Sequence, residues 1–127
     1  PGVASIYYGD EAGLEGFEDP FNRRCYPWGA EDKELVEWYT GLLRARKSCA
    51  AFAGGVYRTL RADNGVFLFT RIANGTKATI IVNMGTTEEI IELSDTDAVL
   101  ISKNCEQKES SLRVLREGCA IVETAEA

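Results

Sequence analysis

The groups able to do chemistry in this chain are carboxylates, guanidinium groups and four thiols, and there is no histidine. That absence removes every Ser-His and Cys-His nucleophile, histidine-ligated zinc and an imidazole general base. The thiols, Cys25, Cys49, Cys105 and Cys119, form no CxxC pair, so no metal knuckle or dithiol redox site is expected. At this density they read as buried free thiols, although Cys105 and Cys119 flank one late segment and could approach each other. Two carboxylates adjoin at Asp10-Glu11, just after the apolar run Val3-Ala4-Ser5-Ile6-Tyr7-Tyr8. As an acid/base pair they are badly placed, because sequential side chains at a strand end point to opposite faces. Ordering the adjacent loop is the expected role. A carboxylate and a guanidinium also stand four residues apart at Asp19 and Arg23, with Phe17, Phe21, Tyr26 and Trp28 around them. Such a pair is able to make paired, planar hydrogen bonds.

These groups need elements to hold them. Residues 3–8 read as one short strand, apolar enough to be covered on both faces. Residues 9–31 have no periodicity and make a loop of unusual length, the kind that is functional or disordered. From Asp32 onward Leu35, Trp38, Tyr39, Leu42, Leu43 and Arg46 recur at three and four, one face of an amphipathic helix. Asp32 is its expected N-cap, Glu34 suits the positive end of its dipole, and Arg44, Arg46 and Lys47 suit the negative end.

Beyond Ala53-Gly54-Gly55, where the domain boundary is placed, the pattern changes to seven short β-rich runs at about 56–60, 66–72, 78–83, 88–93, 99–102, 112–115 and 120–123. Asp63-Asn64-Gly65, Asn74-Gly75, Met84-Gly85 and Glu117-Gly118 are the turns between them. Asn74-Gly75-Thr76 also fits a glycosylation acceptor, but Asn-Gly between apolar runs is better read as a hairpin turn. Residues 1–52 thus form one β/α unit and residues 53–127 an all-β domain. The net charge of −6 argues against nucleic acid and anionic membranes as partners, and no apolar run is long enough to span a bilayer.

The opening stretch Pro1-Gly2-Val3-Ala4-Ser5-Ile6-Tyr7-Tyr8-Gly9-Asp10-Glu11 resembles a signature of the α-amylase superfamily of glycoside hydrolases. The next segment, with Gly13, Gly16, Asp19-Pro20, Asn22-Arg23-Arg24 and Trp28, is similar to a loop of its neopullulanase, cyclomaltodextrinase and maltogenic amylase branch. The match is specific over residues 1–50 and compositional afterwards, and Ala4 stands where members often have Pro. The resemblance implies a mainly β fold class: an antiparallel β-sandwich (amylase domain C) preceded by the last strand, loop and helix of a (β/α)8 barrel. It implies an α-glucan as the parent enzyme's partner, cleaved by a retaining mechanism; no cofactor and no metal-ligating residue is assigned. The family's three catalytic acids come after earlier barrel strands, so the chain as given is expected to be inactive and to serve a structural role. The resemblance also makes Asp19 and Arg23, in a DPxxR pattern, substrate-binding residues contacting a glucose unit away from the cleavage point.

Two other functions compete. A non-catalytic carbohydrate-binding sandwich needs exposed aromatics on a sheet face, where the second half offers Tyr57, Phe67 and Phe69. An inactive amylase-like interaction subunit is the other. A strand at 3–8 without its barrel neighbours is expected to pair with its own sandwich or with another copy of the chain, giving self-association.

Overall fold

The computed structural model describes residues 3–125; Pro1 and Gly2 of the opening signature lie outside the described residues. The chain divides into two compact units between Arg44 and Ala45.

In the first unit the apolar run does not become a strand. Residues 3–7 have no ladder partner among the described residues, and at Tyr8 the backbone swings to a φ of 59°. The composition of 3–8 suits a strand, but a strand exists only where a neighbour accepts its hydrogen bonds. Among the described residues the sheet is formed by strands from 56 onward. The chain turns instead through Gly9 into a single 3-10 turn, Asp10–Ala12, which Gly13 ends. The Asp32 amide hydrogen-bonds to the Ala12 carbonyl at 3.1 Å, which pins the start of helix α1, Lys33–Ser48, to this turn. Asp32 is the N-cap, its Oδ1 accepting the Leu35 amide at 3.1 Å. Glu34 lies in the first turn and Arg46 and Lys47 in the last, complementing the helix dipole.

The second unit is antiparallel sheet. Its strands are β1 (Val56–Asp63), β2 (Val66–Ala73), β3 (Thr76–Asn83), β4 (Glu89–Glu92), β5 (Asp97–Lys108) and β6 (Ser111–Ala125). The order is β1-β2-β3-β6-β4, with β5 on the other edge of β6. Asn64-Gly65 and Asn74-Gly75 close the first two hairpins with positive φ at all four residues, as a two-residue turn between twisted strands requires. The glycosylation-like triplet is therefore a hairpin corner.

Among the described residues six strands stand where seven were expected, because the last two runs join into β6. Glu117-Gly118 is not a reversal. Lys103 of β5 pairs with Cys119 and Cys105 with Val114, so Leu115-Arg116-Glu117-Gly118 bulge out opposite the single residue Asn104. Asn104 and Glu117 both take positive φ there, and the Asn104 side-chain Nδ2 donates to the Glu117 carbonyl at 3.0 Å. Below the bulge β6 pairs with β4, and above it with β3. The strand thus serves both halves of a sheet that curls back on itself. The two ends of the strand order meet: Arg61 on β1 reaches Glu89 on β4 at 2.8 Å while also holding Asp63 at 2.6 Å.

The interior of this curl is one apolar cluster. Val66, Ile81, Ala120 and Val122 lie against Leu112 and Val114, with Leu68, Ile91, Leu93, Val99 and Cys105 around them. On the opposite face Ala78 and Ile80 pack with Cys49 and Ala51, next to Phe52, Phe69, Leu100 and Ile121. Neighbouring Ile80 and Ile81 belong to different clusters, so β3 is covered on both faces there, which is why Ile80-Ile81-Val82 is an unbroken apolar run. All four cysteines are free thiols. Cys25 departs from the buried-thiol expectation, being exposed on the long loop, whereas Cys49 is buried and Cys105 and Cys119 are partly so. Burial raises the Cys105 and Cys119 thiols above their ordinary pKa, and Cys105 Sγ lies 3.4 Å from the Cys119 carbonyl.

The turn before β5 is tied by Asp97. Its Oδ2 accepts the Ser94 amide at 2.8 Å and the Ser94 hydroxyl at 2.9 Å, and its Oδ1 accepts the Thr124 hydroxyl from β6. Burial works against the charge, but these donors and the nearby Lys77 outweigh it and hold the carboxyl below the usual Asp range. A depressed folded pKa contributes stability above the unfolded value of about 3.9, lost as pH falls through the lower folded value. Chemical denaturation at a series of pH values should therefore show an acid limb that is shallower in Asp97→Asn. An unchanged limb would mean that Asp97 is not coupled to folding.

Candidate functional site

The residues singled out for chemistry lie on the long loop of the first unit, and the loop is ordered from within. Asp10 faces back on its own turn: its Oδ2 accepts the Tyr7 amide at 3.1 Å, and its own amide bonds to the Tyr7 carbonyl. Asp10 is exposed, whereas the Oε2 atom of Glu11 is buried without a hydrogen-bond partner. The adjacent carboxylates therefore look to different environments and do not address a common bond.

Asp19 and Arg23 do come together. Arg23 Nε donates to Asp19 Oδ1 at 2.6 Å and Nη2 to Oδ2 at 3.1 Å, a two-pronged planar contact. A tight local fold makes it: the Phe21 amide bonds to the Glu18 carbonyl at 2.8 Å and the Arg23 amide to the Pro20 carbonyl at 3.0 Å. The fork is open to solvent, with side-chain exposures of 74% for Arg23 and 59% for Asp19. At such exposure an ion pair contributes only about 0.2–1 kcal/mol to stability.

Exposed rings stand on the same loop. Phe17 and Phe21 are exposed, and Trp28, at 84% exposure, packs against Tyr26 with ring centroids 4.6 Å apart. Burial, then the Glu11 and Glu31 carboxylates, raise the Tyr26 phenol above its ordinary pKa. Concavities open among the described residues of this unit. One of about 400 Å³ is lined by Ile6, Tyr8, Glu11, Val36, Tyr39 and Leu43 among others, and one of about 230 Å³ by Tyr26, Glu31, Lys33, Val36 and Glu37. Neither includes Asp19 or Arg23, whose side-chain exposure leaves the pair on open surface. Among the described residues no group of three or more Cys, Asp or Glu could hold a metal ion.

Sequence reasoning missed the part played by Tyr8. Its hydroxyl accepts the Arg24 amide at 2.7 Å, drawing the far side of the loop back to the signature turn. The one signal available was a bulky aromatic directly before Gly9 in Tyr7-Tyr8-Gly9-Asp10.

Over 101 residues the chain is 37% identical to the amylopullulanase of Thermoanaerobacter thermohydrosulfuricus, covering 71% of this chain and 7% of that protein. Over 98 residues it is 34% identical to the cyclomaltodextrinase of Thermoanaerobacter pseudethanolicus, covering 76% of this chain and 17% of the relative. The debranching enzyme of Nostoc punctiforme superposes on 98% of the chain with a TM-score of 0.80 at 27% identity, using 28% of its own length. The chain belongs to the α-amylase superfamily of glycoside hydrolases. No family model matches it. The superfamily relatives that it matches are much longer, and the chain spans less than a fifth of the two curated ones. The mainly antiparallel sheet agrees with these superfamily neighbours, and of the preceding β/α unit the loop and helix are formed while the strand is unpaired.

Proposed function

We propose that this chain is the C-terminal portion of a retaining α-glucan hydrolase, in which residues 1–52 supply the last strand, loop and helix of the barrel and residues 53–127 a stabilising all-β domain. The relatives' names, amylopullulanase and cyclomaltodextrinase, support an α-glucan as the parent's substrate. The chemistry itself belongs elsewhere in the protein: a retaining enzyme needs two carboxylates about 5–5.5 Å apart flanking one bond, and Asp10 and Glu11 diverge. The 127 residues alone should therefore release no reducing sugar from maltotriose, pullulan or cyclodextrin. Sustained, dose-dependent release from clean protein would overturn that part of the reading.

In the parent, Asp19 and Arg23 bind a glucose unit away from the cleaved bond. The observation that carries this is the exposed two-pronged fork on a loop that also exposes Phe17, Phe21 and Trp28. Asp19 keeps acceptor positions for sugar hydroxyls, Arg23 keeps donors, and aromatic faces cover the apolar side of a pyranose. A local contact of this exposure contributes little to stability, so its value lies in what it presents. In the full-length enzyme Arg23→Ala should lower kcat/KM for long maltooligosaccharides by roughly 10- to 100-fold and leave short ones nearly unchanged. The melting temperature should barely move. Equal loss on short and long substrates together with a lower melting temperature would establish loop bracing instead.

A further inference from the structure

Tyr8 is the strained point of the loop. Its φ of 59° puts a bulky aromatic in the left-handed region that such residues avoid, and a conformation of that kind persists only where surrounding contacts hold it. Two contacts do so here, and both lead to the Asp19–Arg23 fork. The phenol oxygen accepts the amide of Arg24, the residue after Arg23. The ring lies against the backbone at Gly16, where an added Cβ would fall 3.1 Å from Tyr8 Cε1 and 3.3 Å from the Cβ of Asn22, the residue before Arg23. Asn22 is half-buried in this stack, with its Oδ1 enclosed and unpartnered. Both chain neighbours of Arg23 are thus fixed, one through a hydrogen bond to Tyr8 and the other through packing on Gly16. The fork itself is exposed, and within its own turn it is tied by the Arg23 amide on the Pro20 carbonyl at 3.0 Å.

We propose that Tyr8 is the positioning residue for the Asp19–Arg23 pair, acting through the Arg24 amide and the Gly16–Asn22 stack to aim the fork at an α-glucan chain. The inference rests on the reading of that pair as sugar-binding. A guanidinium presented on a loose loop would spend binding energy on being oriented, and a pre-set one does not. Tyr8 acts on the fork and not on the sugar.

The test uses the full-length enzyme as wild type, Tyr8→Phe, Arg23→Ala and the double variant, assayed on maltohexaose and maltotriose, with amide hydrogen exchange monitored at Arg24. Tyr8→Phe removes one hydroxyl, so it should speed Arg24 exchange and lower kcat/KM for maltohexaose by about 2- to 12-fold, the range of one net hydrogen bond. The loss should appear mainly in KM, leave maltotriose unchanged, and vanish in the Arg23→Ala background, since a positioning group has no effect once the group it positions is gone. Equal losses on both substrates, or the same further loss on top of Arg23→Ala, would overturn the positioning role while leaving the fork as a sugar contact. If Arg23→Ala alone shows no dependence on substrate length, the sugar-binding reading fails first, and the role of Tyr8 falls with it.

Discussion

The side chain of Asn83 is fully buried, and the curl of the sheet converges on it. Its amide nitrogen lies 2.9 Å from the Thr87 carbonyl, 3.1 Å from that of Val114 and 3.2 Å from that of Leu115, while its oxygen accepts the Gly85 amide at 3.0 Å. Those partners come from the β3–β4 connection and from the point where β6 begins its bulge. One side chain at the end of β3 therefore fixes where the chain leaves the sheet and where its longest strand changes neighbours. The packing around it admits no bulk. A Cβ on Gly65 would fall 2.8 Å from the Gly85 Cα, and one on Gly85 would fall 2.6 Å from the Asn64 carbonyl. The first hairpin turn thus rests directly on the segment that Asn83 anchors, and the Met84 amide bonds to the Gly65 carbonyl at 2.8 Å.

Such a knot does what apolar area cannot. The cluster around Ile81, Leu112 and Val114 supplies the drive to collapse, yet hydrophobic burial is non-directional and would accept other registers. A buried amide with every atom satisfied accepts only one, because each lost partner leaves a buried carbonyl or N–H unpaired at about 1–3 kcal/mol. The Arg61–Glu89 contact closes the same curl from the rim, and being partly exposed it adds less.

Much of this architecture was legible beforehand, for reasons that can be named. Asp32 announced the helix because a side-chain oxygen is needed where the first amides lack partners, and Asn64-Gly65 and Asn74-Gly75 announced hairpins because few residues tolerate positive φ. The continuity of β6 was not legible. Glu117-Gly118 carries turn chemistry, and a bulge uses the same positive φ as a reversal, so local preference cannot separate them; only pairing with β5 and β3 decides. Residues 3–8 failed for the converse reason, a strand composition with no ladder to join. At the site, the Asp19–Arg23 spacing showed which groups meet, while the clamp by Tyr8 depended on a hydrogen bond across sixteen residues that no spacing announces.

If a buried amide specifies the all-β unit, equilibrium urea unfolding of Asn83→Asp against the wild-type chain at neutral pH is the most direct test. The substitution keeps size and shape but places a charged acceptor against three carbonyl acceptors at a fully buried position. The predicted result is a loss of about 3 kcal/mol or more, or failure to form the native sheet at all. A variant that unfolds within about 0.5 kcal/mol of the wild type would contradict the claim, since surface substitutions alone fall in that range.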